Sequence, residues 1–137
     1  MKPDLSPYIA FAGEAGDVLR FYAEVFGGEP LLETYGAYGA SDDPRDQERV
    51  LYGVLRTPDG FVVRVTDVTA DGSVTPGDNH FLCLNGDDED LLRRCWEGLS
   101  NGATIVEPLE TAPWGDTYGK LVDRHGVTWQ VNIGSSE

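Results

Sequence analysis

The chain has 137 residues, which suits one domain, because two independent cores of that total size would each be marginal. Its 10 Lys and Arg against 24 Asp and Glu give a formal charge of −14, which opposes nucleic-acid binding and anionic membranes. No run of about 18 apolar residues is present, so no membrane span is predicted. The opening Met1-Lys2-Pro3-Asp4-Leu5-Ser6-Pro7 holds no apolar signal core, and the expected compartment is the cytoplasm. Cys83 and Cys95 form no CxxC and have no partnered His pattern, which argues against a disulfide framework or zinc cluster. Both are expected to be small core residues.

The first half opens with Tyr8-Ile9-Ala10-Phe11-Ala12, a short β-like run. Val18, Tyr22, Val25 and Phe26 then recur at helical spacing, predicting a helix over about 14–27. Gly27-Gly28 supply its cap, and Pro30 prevents continuation. A strand from Leu31 to Tyr35 precedes a loop, Gly36 to Gln47, rich in Gly, Asp and Tyr. A hairpin follows, Arg49 to Arg56 and Phe61 to Asp67, joined by Thr57-Pro58-Asp59-Gly60. Pro presets φ in that turn and Gly takes the positive φ.

The second half repeats the order. His80-Phe81-Leu82-Cys83-Leu84 reads as a strand, and a helix is predicted over about 88–101. Asp87-Asp88-Glu89-Asp90 lies at its N-terminus, where acids cap the first turn and complement the dipole. A strand over Thr104 to Glu110 and a hairpin, Thr117 to Asp123 and Val127 to Ile133, complete the half. Both helices share the frame Asp, aliphatic, Leu, Arg, three variable positions, Glu. The chain is therefore read as α+β, two βαβββ modules in one domain over 1–137. Module 1 covers about 6–67, the linker 68–78 and module 2 about 79–134. Period-two alternation puts Val62, Arg64 and Thr66 on one face and Phe61, Val63 and Val65 on the other. Thr128, Gln130 and Asn132 likewise oppose Val127, Trp129 and Val131.

Three segments carry a family resemblance. They are Pro7-Tyr8-Ile9-Ala10-Phe11-Ala12-Gly13, Phe21-Tyr22-x-x-Val25-Phe26-Gly27-Gly28-Glu29, and Trp114-Gly115-Asp116-x-Tyr118-Gly119-x-Leu121-x-Asp123-x-x-Gly126-Val127-x-Trp129. With the duplicated modules they resemble the vicinal-oxygen-chelate (glyoxalase, bleomycin-resistance, dioxygenase) superfamily, in its PhnB-like, demethylubiquinone-methyltransferase-like branch. The resemblance implies a curved eight-stranded mixed sheet around one cleft. In metal-dependent members, two His and two Glu ligands come from the first and last strands of each module.

Matching the modules puts Tyr8, Arg64, His80 and Gln130 at those positions. An Arg about 4 Å from a divalent cation repels it by roughly 8 kcal/mol at an effective dielectric near 20. One His and one amide oxygen offer little against that. No metal is expected, and with no nucleotide motif no cofactor is expected either. Arg64 suits carboxylate or phosphonate groups, and Tyr8, Tyr52, Trp114 and Tyr118 suit a flat or aromatic body. Each also has a purely structural reading, an ion pair for Arg64 and packing for the aromatics. The expected function is capture of a small anionic or aromatic molecule. Two alternatives stay open: a lyase-, isomerase- or dioxygenase-type enzyme, with His80 as acid or base where no metal serves, and a bleomycin-type drug-binding protein. A homodimer is expected from the resemblance and from the edges that such sheets expose.

Overall fold

The computed structural model describes residues 2–134. The chain divides into two compact units, residues 1–75 and 76–137. The first holds β1 (Tyr8–Phe11), α1 (Ala15–Phe26), β2 (Leu31–Thr34), α2 (Tyr35–Tyr38), β3 (Val50–Arg56) and β4 (Val62–Asp67). The second holds β5 (Leu82–Gly86), α3 (Glu89–Ser100), β6 (Thr104–Thr111), β7 (Thr117–Val122) and β8 (Thr128–Ile133). The eight strands hydrogen-bond as two mixed sheets of four, ordered β1-β4-β3-β2 and β5-β8-β7-β6. In each, the first strand runs parallel to the last and the remaining pairs are antiparallel.

One face of each sheet is covered by its helix. Along α1 the side chains of Val18, Leu19, Phe21, Tyr22 and Phe26 are buried, and the helix packs on β3 and β4. Leu92, Cys95 and Leu99 do the same on α3, against β5 and β8. The alternation expected in the last strands is observed: Val63, Val65, Trp129 and Val131 are buried, while Arg64, Thr66, Gln130 and Asn132 are half-buried on the other face. The helix-facing side is crowded enough to demand glycine. A Cβ on Gly53 would meet Val65 Cγ2 at 2.8 Å, and one on Gly119 would meet Trp96 Cη2 at 2.8 Å.

Two buried carboxylates fix the ends of strands. Asp67, 1% exposed, accepts from the backbone N–H groups of Gly13, Ala15 and Val50 at 2.9, 3.0 and 2.9 Å. It thereby ties the end of β4 to the start of α1 and of β3. Asp123 accepts from the N–H groups of His125 and Val127, closing the second hairpin turn, and from Trp129 Nε1 at 2.9 Å.

The region after β2 departs from the expectation. A helical turn, α2, replaces the end of the strand and the start of the loop, because the Thr34 hydroxyl caps it by accepting from the Ala37 N–H at 3.1 Å. Gly39, at φ +60°, ends it. No helix of the described residues is long and apolar enough to cross a membrane.

Candidate functional site

On the helix-free face of the first sheet, Tyr8 of β1 lies opposite Arg64 of β4 in the parallel register. Tyr52 stands beside them on β3, and the Tyr8 and Tyr52 ring centroids are 6.1 Å apart. Arg64 Nε donates to the Tyr52 hydroxyl at 3.1 Å. The rest of the guanidinium meets the N-terminal segment. Nη1 donates to Asp4 Oδ1 at 2.9 Å and to Ser6 Oγ, and Nη2 donates to Asp4 Oδ2 at 3.2 Å. Asp4 also lies 3.6 Å from Arg56 Nη1.

The electrostatics follow from this pairing. Hydrogen bonding from Arg64 holds the Asp4 carboxyl below the usual carboxylate range, with Arg56 adding to the effect. The Arg64 guanidinium is made still harder to deprotonate, first by Asp4 and then by Tyr52. Burial raises the Tyr8 hydroxyl above its ordinary value, Tyr52 adds to this, and Arg64 opposes it. The ion-pair reading of Arg64 is thus realised within the chain, through a partner that composition alone did not name.

The second sheet presents a different set. Gln130 of β8 pairs in register with Cys83 of β5. His80 is exposed and lies ahead of β5, which begins at Leu82, so it does not hold the first-strand position assigned to it. The error came from counting apolar residues from the front of the run. Leu19 and Leu92 are matching buried helix positions, yet Tyr8 precedes Leu19 by eleven residues and Cys83 precedes Leu92 by nine. The stretch from the matched strand position to the matched helix position is two residues shorter in the second unit, and nothing in the run His80 to Leu84 marks where pairing starts.

Cys83 is a second correction. It is exposed rather than a core residue, because it alternates with buried Leu84 on β5; Cys95 is buried as expected. Burial around the thiol is still sufficient to raise its pKa. Tyr118 of β7 corresponds to Tyr52, each standing two residues before the one opposite the key last-strand position, Lys120 opposite Gln130 and Val54 opposite Arg64. Burial raises the Tyr118 hydroxyl, as do Glu107 and Cys83. Trp114, 63% exposed, sets its ring edge-on to Tyr118 at 5.7 Å between centroids. Asn132 donates to Asn85 and to Asp116, each at 3.0 Å, and Lys120 Nζ lies 4.0 Å from the centre of the Phe81 ring.

Asp4, Ser6 and Cys83 are the residues that sequence reasoning missed here. Asp4 and Ser6 lie ahead of the first periodic segment and carry no motif, so only the folded register brings them to Arg64. The donor set does not fit the divalent metal of metal-dependent members. Arg64 cannot ligate or lose its charge, and its fork is engaged by Asp4, Ser6 and Tyr52. Among the described residues no three His, Cys, Asp or Glu side chains gather as a metal site requires.

Two four-stranded mixed sheets, each with one covering helix and a parallel first and last strand, define an α+β chain of paired βαβββ modules. The model of the Glyoxalase/Bleomycin resistance protein/Dioxygenase superfamily matches residues 5–131, and the chain belongs to that superfamily. Protein YjdN of Escherichia coli (strain K12) is 24% identical over 140 residues, covering 94% of each chain. The crystal structure of protein PA1353 from Pseudomonas aeruginosa is similar with a TM-score of 0.79 at 24% identity, covering 98% of this chain and 100% of that one. A Bacillus cereus protein described as a putative 3-demethylubiquinone-9 3-methyltransferase, PhnB protein, gives a TM-score of 0.77 at 21% identity, covering 96% of this chain and 100% of its own. At these identities the likeness to the two structures is one of fold.

Proposed function

We propose that the chain is a binding protein for a small anionic molecule with a flat or aromatic body, and that it acts without a metal. The observation that carries this reading is the Arg64 guanidinium on the open face of the first sheet, flanked by the rings of Tyr8 and Tyr52. A guanidinium presents parallel N–H groups that match a carboxylate or phosphonate, and tyrosine rings supply flat apolar walls with a polar tip. Tyr8 is 53% exposed, so its ring is accessible on the described chain. The chain's charge of −14 suits a cationic drug, but a face centred on Arg64 favours an anion.

The test is a thermal-shift panel of aromatic and aliphatic carboxylates and phosphonates, each run with and without EDTA. A ligand at about 100 times its Kd stabilises the folded state by roughly 2.7 kcal/mol. The expected result is a shift from aromatic acids that EDTA leaves intact and Arg64→Gln abolishes. A shift that EDTA removes would contradict metal independence.

A homodimer belongs to the same reading. It is supported by apolar side chains exposed on edge strands, Leu31 on β2 and Ile105 and Val106 on β6. Native mass spectrometry at micromolar concentration should give twice 14.9 kDa.

A further inference from the structure

The contact between Arg64 and Asp4 has the form of a bound ligand. Two guanidinium nitrogens face the two oxygens of one carboxylate, the geometry by which a free carboxylate is recognised. The segment that supplies the carboxylate is otherwise tied by polar contacts to the same residue, Ser6 Oγ accepting from Arg64 Nη1 and the Pro7 carbonyl from the Arg64 backbone N–H. Residues 2–7 join no strand or helix, and Leu5, its one large apolar side chain, is 100% exposed. Leu5 therefore contributes no apolar packing to the placement of the segment. Instead the polar groups of Asp4 and Ser6 reach the Arg64 side chain, which is only 12% exposed, while the Asp4 side chain remains 34% exposed. Arg56 and Arg64 together give this spot two cationic groups against the one carboxylate of Asp4. The local balance therefore favours an anion even though the chain as a whole is acidic.

We propose that Asp4 is the internal occupant of the carboxylate site formed by Arg64 and Tyr52, and that an incoming carboxylate binds by displacing it together with Ser6. This rests on the anion-binding reading above and adds the competition. The N-terminal segment then acts as a strap: closed, it fills the fork of Arg64; released, it leaves the fork and the Tyr8 and Tyr52 rings to the ligand. Competition of this kind weakens apparent affinity by the fraction of time the site is open, so a strap closed nine-tenths of the time costs about tenfold.

Benzoate serves as probe, its carboxylate for Arg64 and its ring for the tyrosines. It is titrated by calorimetry into the full chain and into Asp4→Ala, Arg64→Gln and the double variant. Asp4 lies in an exposed segment outside the core, so its replacement leaves the fold intact. The expected result is binding about tenfold tighter for Asp4→Ala than for the unaltered chain, and none for either protein lacking Arg64. In the unaltered chain, saturating benzoate should also return the Asp4 carboxyl, followed by carbon NMR against pH, from its lowered pKa toward the ordinary value. Equal affinities for the unaltered chain and Asp4→Ala, with binding still lost in Arg64→Gln, would overturn the strap and leave the anion site standing. No binding by Asp4→Ala at millimolar benzoate would overturn the carboxylate site itself.

Discussion

Cys83 lies opposite Gln130 in the parallel pairing of β5 with β8, as Tyr8 lies opposite Arg64 in that of β1 with β4. The two first strands therefore match at Tyr8 and Cys83, with His80 outside the sheet. A thiol on the open face of a strand behaves differently from one sealed under a helix. Cys83 should react first and alone with a disulfide reagent in the folded protein, and Cys95 only on unfolding. Because burial raises the Cys83 pKa, its thiolate is scarcer at neutral pH than that of a free cysteine. Its rate should keep rising to a higher pH than that of a small-molecule thiol followed in parallel. Equal reactivity of both cysteines in the native state would count against the burial pattern.

Asp67 accepts from three backbone N–H groups while almost wholly buried. Asp67→Ala removes the acceptor and leaves those donors without water or partner. Each unsatisfied buried group costs about 1–3 kcal/mol, so urea unfolding should show a loss of roughly 3 kcal/mol or more. An Asp17→Ala control removes an exposed partner of Arg20 and should change stability far less.

Much of this architecture was legible in the chain because its signals are local. The helices appeared within one residue of 14–27 and 88–101, since apolar spacing and the glycines after Phe26 mark α1, and acids mark the start of α3. The open faces of β4 and β8 followed from period-two alternation anchored by the turn glycines Gly60 and Gly126. Where no turn fixes the register, reading by pattern failed. Tyr8 opens β1 directly, whereas His80 precedes β5, which starts only at Leu82, although each stands before a similar apolar run. The partner of Arg64 was illegible for another reason: Asp4 lies sixty residues away in sequence, and one carboxylate among 24 acids carries no mark of its role.

Gly53 and Gly119 hold equivalent positions, opposite Val65 and Val131, on the helix-covered sides of β3 and β7. A methyl at either must push into a branched or aromatic side chain that has little room to move. Overpacking of this kind costs about 1–3 kcal/mol. Gly53→Ala and Gly119→Ala should each lower the urea midpoint accordingly, while Gly77→Ala, whose Cβ would meet only Asn79 Oδ1 at 3.6 Å, should not. A neutral Gly119→Ala would mean that Trp96 does not rest on β7.

The strap formed by residues 2–7 should be released by acid, and the sign follows from Asp4. Arg64 lowers the Asp4 pKa below its ordinary value of 3.8, so the folded arrangement favours the ionised carboxyl. Its contribution is complete above that ordinary value and is lost as pH falls through the lowered, folded-state value. Since the Asp4 side chain is one-third exposed, added salt should weaken the same contact by screening. Backbone amide relaxation measures both effects directly. Residues 2–6 should be ordered at pH 6 in low salt, loosen only as the pH is taken below the ordinary value of 3.8, and loosen partly at pH 6 in about 1 M salt. In Asp4→Ala they should be equally loose across the whole range, because the titrating group is gone. If that variant kept an ordered N-terminus at pH 6, Ser6 and the Pro7 carbonyl, which accepts from the Arg64 N–H at 3.0 Å, would be sufficient to hold the segment, and the carboxylate would not be its anchor.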